Sequence, residues 1–234
     1  MDSAEHGVIY FSLGTVFQSK DMPKLLKKNL INMFGELKQT VIWKYEGQDL
    51  KNLPKNLVIL NWAPQSSILN HSNCLIFITH SGLLSTIEAM HFGVPVIGVP
   101  VSFDQILNAK NSVANGYSIS VEMTYNLAQE LKHAILEMLI DKRYALRIKE
   151  LSQIYHDRPV PLNREVVYWV EHVVRTRGAV HLRSPALELF WYQKMYVDFL
   201  ALAVAILLAF IFTVRRVIAL ACRKKKTSPK KKTR

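Results

Sequence analysis

The chain has 234 residues, half of them apolar, enough for one sizeable buried core with appended segments. Its formal charge of +12 points toward nucleic acid until it is placed along the sequence: residues 215–234 hold 10 Lys/Arg and no acid, leaving 20 basic against 18 acidic residues in 1–214. The basicity belongs to a tail, and a basic folded face with stacking aromatics, the footprint of a nucleic-acid partner, is not expected.

Residues 1–7 are polar and carry no apolar run of the signal-peptide kind. Val8–Phe11 is a short apolar run of β-formers that ends in Ser12-Leu13-Gly14-Thr15. Small residues at a strand end either admit a ligand close to the backbone or simply make a tight turn. A helix is predicted over Asp21–Lys38, with Pro23 just inside its start and Lys24, Lys27, Lys28 and Lys38 on a solvated face. Val41–Trp43, Leu57–Leu60 and Leu75–Ile78 follow as strands. These runs are continuously apolar rather than alternating, which predicts an α/β fold: a Rossmann-like parallel sheet with helices on both faces.

The segment from Ile59 to Gln105 carries the chemistry. His80-Ser81-Gly82-Leu83-Leu84-Ser85 joins a buried strand to a helix, so free backbone amides, the positive end of a helix dipole and an imidazole converge on an anion site. Glu88 lies one turn further. It either reaches ribose hydroxyls or closes a capping box with Ser85, and spacing favours the cap. Asp104-Gln105 is likewise a helix N-cap or a pair of acceptors facing a sugar. Trp62-Ala63-Pro64-Gln65 ends the preceding strand as an ordinary helix start, with Trp62 either core or a stacking platform for a base.

Further along, a helix is predicted over Asp104–Asn115, a strand over Tyr117–Val121, and helices over Asn126–Ile140, Tyr144–Tyr155 and Asn163–Arg175. Gly178–Pro185 reads as a connector, and Ala186–Tyr196 gathers Phe190, Trp191, Tyr192 and Tyr196 as interfacial aromatics. Phe199–Val214 is uncharged and strongly apolar, and 197–218 is long enough to span a bilayer once its flanking charges snorkel. The expected organisation is a Rossmann-like domain with the anion site over 1–178, a connector with interfacial aromatics over 179–195, a transmembrane helix over 196–218 and a basic tail over 219–234. Cys74 reads as a small core residue and Cys222 as an inert or acylated thiol. They are not expected to pair, and neither has metal-ligand spacing. Asn70-His71-Ser72 is a glycosylation sequon.

In order along the chain, Trp-Ala-Pro-Gln at 62–65, His-Ser-Gly-Leu-Leu-Ser at 80–85, Glu88-Ala89 and Asp104-Gln105 resemble the signature of the family 1 UDP-glycosyltransferases, in particular their membrane-bound animal members. Ser12–Thr15, Trp43-Lys44, the apolar span and the dilysine end at Lys231-Lys232 agree with it. The resemblance covers the C-terminal, nucleotide-sugar half of a two-domain GT-B architecture. It implies Trp62 against uracil, the Ala63 backbone toward the base, and Gln65 and Glu88 on ribose. It further implies His80, the amides from Gly82 through Leu84 to Ser85, and Ser12, Gly14 and Thr15 around the diphosphate. Asp104 and Gln105 would accept hydrogen bonds from the transferred sugar. Leu84 stands where plant members carry Asn, and Ser81 replaces Cys or Gly, which leaves the backbone donors intact.

The implied reaction is inverting transfer of a hexose from a UDP-sugar to a hydroxyl of a small lipophilic acceptor, with no cofactor and no metal. The catalytic base and the acceptor pocket belong to an N-terminal domain upstream of this sequence; His6, His71, His91, His133, His156, His172 and His181 are not expected at the site. The positive-inside rule and the dilysine end place the chain in the endoplasmic reticulum membrane, body lumenal and tail cytosolic, with membrane lipid and related UDP-glycosyltransferases, as homo- or hetero-oligomers, as further partners. The alternative is a non-catalytic membrane-anchored partner of full-length relatives.

Overall fold

A computed structural model describes the backbone of residues 1–226 and the side chains of 1–219; the dilysine end and the Cys222 thiol lie outside the described residues. The chain forms two compact units, Met1–Pro159 and the segment from Val160 onward, so the helix at 162–175 falls in the second unit.

The first unit is built on six parallel strands: β1 (Val8–Ser12), β2 (Thr40–Lys44), β3 (Leu57–Leu60), β4 (Cys74–Thr79), β5 (Val96–Gly98) and β6 (Ser118–Ser120). Their order in the sheet is β3-β2-β1-β4-β5-β6. All five residues of β1 are buried, because helices cover both faces. Alternation along the strand divides them between two cores. Ile9 and Phe11 face one layer with Leu30 and Phe34 of α1 (Lys24–Gly35) and Leu131 and Ile135 of α5 (Leu127–Ile140). Val8 and Tyr10 face the other, with Ile68 of α2 (Gln65–Leu69), Ala89 of α3 (Leu83–Phe92) and Ile148 of α6 (Arg143–His156). α4 (Gln105–Ala114) packs beside β6.

β1 pairs with β4 in two registers. Val8 faces Cys74, but Ile9 faces Ile76, so Leu75 is an extra residue; beyond it the match runs evenly to Ser12 opposite Thr79. Leu75 lies against the bare backbone of Gly7, where a Cβ would come within 2.4 Å of it.

Three sequence expectations change. The first helix begins at Lys24 rather than Asp21, since Ser19–Asp21 form a 3-10 turn and Pro23, in extended geometry at ψ 138°, starts the α-helix after itself. Lys27 is not on a solvated face: it is 6% exposed, with its ammonium held by the Lys20 carbonyl, the Tyr45 hydroxyl and Asp49. β5 was not anticipated, being three residues between Pro95 and Pro100, too short to show a period. Cys74 is a buried free thiol, its pKa pushed up to about 12 by burial.

In the second unit, α7 (Leu162–Arg175) leads through 3-10 turns at Val180–Leu182 and Pro185–Leu187 to α8 (Trp191–Lys194) and α9 (Val197–Lys226). The stretch Val197–Ala219, 23 residues, is about 34 Å of helix and is long and apolar enough to cross a membrane.

Candidate functional site

Strand order reverses between β1 and β4, and a cleft of about 630 Å³ opens there above the strand ends. Its lining contains every site residue read from the sequence: Ser12, Gly14, Thr15, Trp62, Ala63, Gln65, His80, Gly82, Leu84, Ser85, Glu88, Asp104 and Gln105. No other histidine is among the lining residues.

His80 follows the last residue of β4 and sits between two glycines. A Cβ at Gly14 would come within 2.6 Å of the imidazole, and one at Gly82 within 2.4 Å. Only bare backbone on both sides lets the ring occupy this slot. Burial lowers the His80 pKa first; the Asp104 carboxylate opposes this and the Lys44 charge adds to it. The ring is therefore neutral at pH 7 and offers a hydrogen bond without carrying a charge.

Gly82 is the N-cap of α3, and no side chain caps the helix. Its first amides, on the cleft-lining residues Leu83, Leu84 and Ser85, have no partner within the helix. The capping box expected from the Ser85–Glu88 spacing does not form, because Ser85 is already the third helical residue. Glu88 instead accepts a 2.8 Å hydrogen bond from Gln65 Nε2, which also lies 3.4 Å from the Ser85 hydroxyl. Tyr10, stacked on Phe77 at 5.0 Å, donates its hydroxyl to Gln65 Oε1 at 3.3 Å. Burial pushes the Tyr10 pKa up to about 12, so it stays a donor.

Trp62 is 73% exposed at the cleft wall and is not core. Lys44 reaches under it, its ammonium 5.7 Å from the indole centroid, while donating to the Gly14 carbonyl at 2.8 Å and to Glu46 at 2.6 Å. One buried cation thus ties the turn after β1 to the aromatic wall after β3.

Asp104 stands at the N-cap position of α4 but makes no cap bond; its carboxylate accepts from Asn108 Nδ2 at 2.8 Å. Asn108 also donates to the Ser81 carbonyl. Gln105 cannot act as the acceptor expected of it, because its Oε1 already takes the Val101 and Ser102 amides. Its NH₂ is the group left for a ligand, and it donates.

Lining residues that the sequence reading did not assign to the site include Tyr10, Val16, Phe17, Lys44, Ser102 and Phe103. A charge ending the apolar run of β2 was a usable signal for Lys44. Phe103, 86% exposed with φ 56°, had none.

Known proteins can now be compared with this cleft. The chain is 37% identical over 215 residues to UDP-glucosyltransferase 2 of Dactylopius coccus, covering 92% of this chain and 42% of that protein. It is 36% identical over 222 residues to UDP-glucuronosyltransferase 1A1 of Rattus norvegicus, covering 95% and 41% respectively. It therefore spans about two fifths of the length of these relatives. Among solved structures, Os79 from O. sativa in complex with UDP aligns with TM-score 0.58 at 23% identity, over 64% of this chain and 36% of that one. Spinosyn forosaminyltransferase SpnP aligns with TM-score 0.63 at 16% identity, over 74% and 44%. The partial coverage of each neighbour and the shared sheet identify the first unit as the C-terminal domain of a GT-B fold. The family described as UDP-glucoronosyl and UDP-glucosyl transferase matches residues 1–232, and to that family the chain belongs.

Proposed function

We propose that the cleft binds a UDP-hexose and that the assembled enzyme transfers the hexose, with inversion, to a hydroxyl of a small lipophilic acceptor. The observation that carries this reading is the neutral His80, slotted between Gly14 and Gly82 beside the uncapped start of α3. That pairing suits a diphosphate, with Ser12 and Thr15 on its other side. The exposed Trp62 indole stacks the uracil beside the Ala63 backbone, and Gln65 with Glu88 hold the ribose hydroxyls. Asp104 accepts from the hexose, and Gln105 donates to it.

In the transfer, the acceptor oxygen forms a bond to the anomeric carbon as the bond to the β-phosphate oxygen breaks, and the electron pair leaves with UDP. Helix amides and His80 are already in place where that negative charge grows, so little reorganisation is needed. The acceptor proton passes to a base on a second domain; this chain matches about two fifths of the relatives' length, which leaves room for one. No metal or cofactor is required by this scheme. The apolar helix anchors the chain in the endoplasmic reticulum membrane with the first unit lumenal and the basic tail cytosolic.

Calorimetry on the full chain in detergent micelles tests the reading. UDP binds at micromolar concentration, and His80→Ala, Trp62→Ala and Glu88→Ala each weaken it about tenfold or more. Unchanged affinity in all three variants overturns it.

A further inference from the structure

We propose that His172 and His181 form a two-histidine site for a divalent transition-metal ion such as Zn²⁺ or Cu²⁺. It lies in the second unit and is independent of the donor cleft. Their Nε2 atoms stand 3.2 Å apart, with ring centroids at 5.3 Å and ring planes at 77°. Two imidazoles on one tetrahedral ion, at bond lengths of about 2.0–2.1 Å, place their nitrogens about 3.3 Å apart. The pair already has the spacing that chelation needs.

The chain goes to some lengths to create this meeting. His172 lies in the last turn of α7, and His181 lies in the 3-10 turn at Val180–Leu182. Between them, Arg177, Gly178 and Ala179 take φ of 52°, 104° and 47°, three consecutive left-handed residues of which two carry a Cβ. Such a run is costly for L-residues and is sustained by local bonds. The Thr176 hydroxyl donates to the His172 carbonyl at 2.7 Å and accepts from the Ala179 amide at 3.1 Å. Tyr168 stacks on the His172 ring at 5.8 Å and fixes its plane.

No third His, Cys, Asp or Glu joins the pair among the described residues, so water completes the coordination shell. That suits an exchangeable ion better than a permanent one. Both rings bind as Nδ1–H tautomers, so the proton now shared between the two Nε2 atoms moves to Nδ1. Bound metal closes a loop of ten residues and staples the end of α7 to the segment leading to the apolar helix, stabilising that reversal by mass action.

Titration of the full chain in detergent micelles with Zn²⁺, followed by calorimetry, and with Cu²⁺, followed by electron paramagnetic resonance, tests the proposal. One ion per chain is expected, with nitrogen hyperfine coupling from two imidazoles. His172→Gln and His181→Gln each weaken binding about tenfold or more, with helix content by circular dichroism unchanged. A His91→Gln/His156→Gln double variant, which removes the other close histidine pair, binds as the parent does. Zn²⁺ also slows tryptic cleavage after Arg177 and Arg183 in the parent and not in His181→Gln. Binding that survives both single substitutions, or that is lost in the His91/His156 variant, overturns the site and leaves the pair as a hydrogen bond alone.

Discussion

Gln65 donates to Glu88 across 2.8 Å, joining the first residue of α2 to the second turn of α3 although they lie 23 positions apart. The bond holds the carboxylate at the cleft and away from the helix start, which stays open as a result. Replacing Glu88 with Gln removes the charge from the bond to Gln65 and turns one of the two carboxylate acceptors, which the proposed function gives to the ribose, into a donor; UDP affinity is expected to fall about tenfold to a hundredfold. Discrimination between UDP and 2′-deoxy-UDP should shrink as well. Equal losses for the two nucleotides in a calorimetric series would remove Glu88 from the ribose.

Gly82→Ala tests the slot around His80 without backbone strain, because Gly82 has φ −62°, which alanine adopts freely. The added methyl meets the imidazole, so the ring must shift. We expect a stability loss of about 1–3 kcal/mol and at least tenfold weaker UDP binding. Gly14→Ala carries the same clash plus a φ of 84°, and should cost about 1 kcal/mol more in thermal unfolding.

The lowered pKa of His80 fixes the sign of a pH effect. In the unfolded chain the residue takes up a proton near pH 6.5, whereas the folded protein resists that uptake to a lower pH. The unfolded state therefore binds more protons across this window, and stability falls as pH drops through it. The contribution is bounded by one proton, about 1.4 kcal/mol per pH unit. Thermal unfolding of the parent and His80→Gln between pH 7.5 and 5 should show the steeper decline in the parent; parallel curves would mean that His80 titrates normally.

Ser81 is 1% exposed, sits at φ 62°, and its hydroxyl has no hydrogen-bond partner among the described residues. A buried unmatched hydroxyl costs about 1–3 kcal/mol, so Ser81→Ala is expected to stabilise the protein by about 1 kcal/mol. Ser81→Gly also relieves the left-handed backbone, and should gain a similar amount despite its greater unfolded-state freedom. Denaturant midpoints measure both; a drop in each would reveal an unseen partner for the hydroxyl.

Much of this was legible in the sequence for identifiable reasons. The strands of the sheet centre are continuously apolar because both faces are covered, and the turns after Ser12 and His80 carry the glycines between which the His80 ring fits. What the sequence hid was the outcome of competition between partners. Spacing assigned Glu88 to Ser85, but Gln65, distant in sequence, had the better geometry. Lys27 looked like a surface lysine until Tyr45 and Asp49 came to it through the fold. Gln105 looked like a free acceptor, yet its carbonyl closes its own loop.

The extra residue in β4, Leu75, has a bearing on how this molecule tolerates change. The mismatch between neighbouring strands is absorbed at the floor of the sheet, over Gly7, while Ser12 and Thr79 stay level at the roof. Slack is stored at the far end from the cleft. Insertions or deletions near Leu75 can be taken up there, whereas a single added residue between Ile9 and Ser12 would tilt one wall of the pocket against the other.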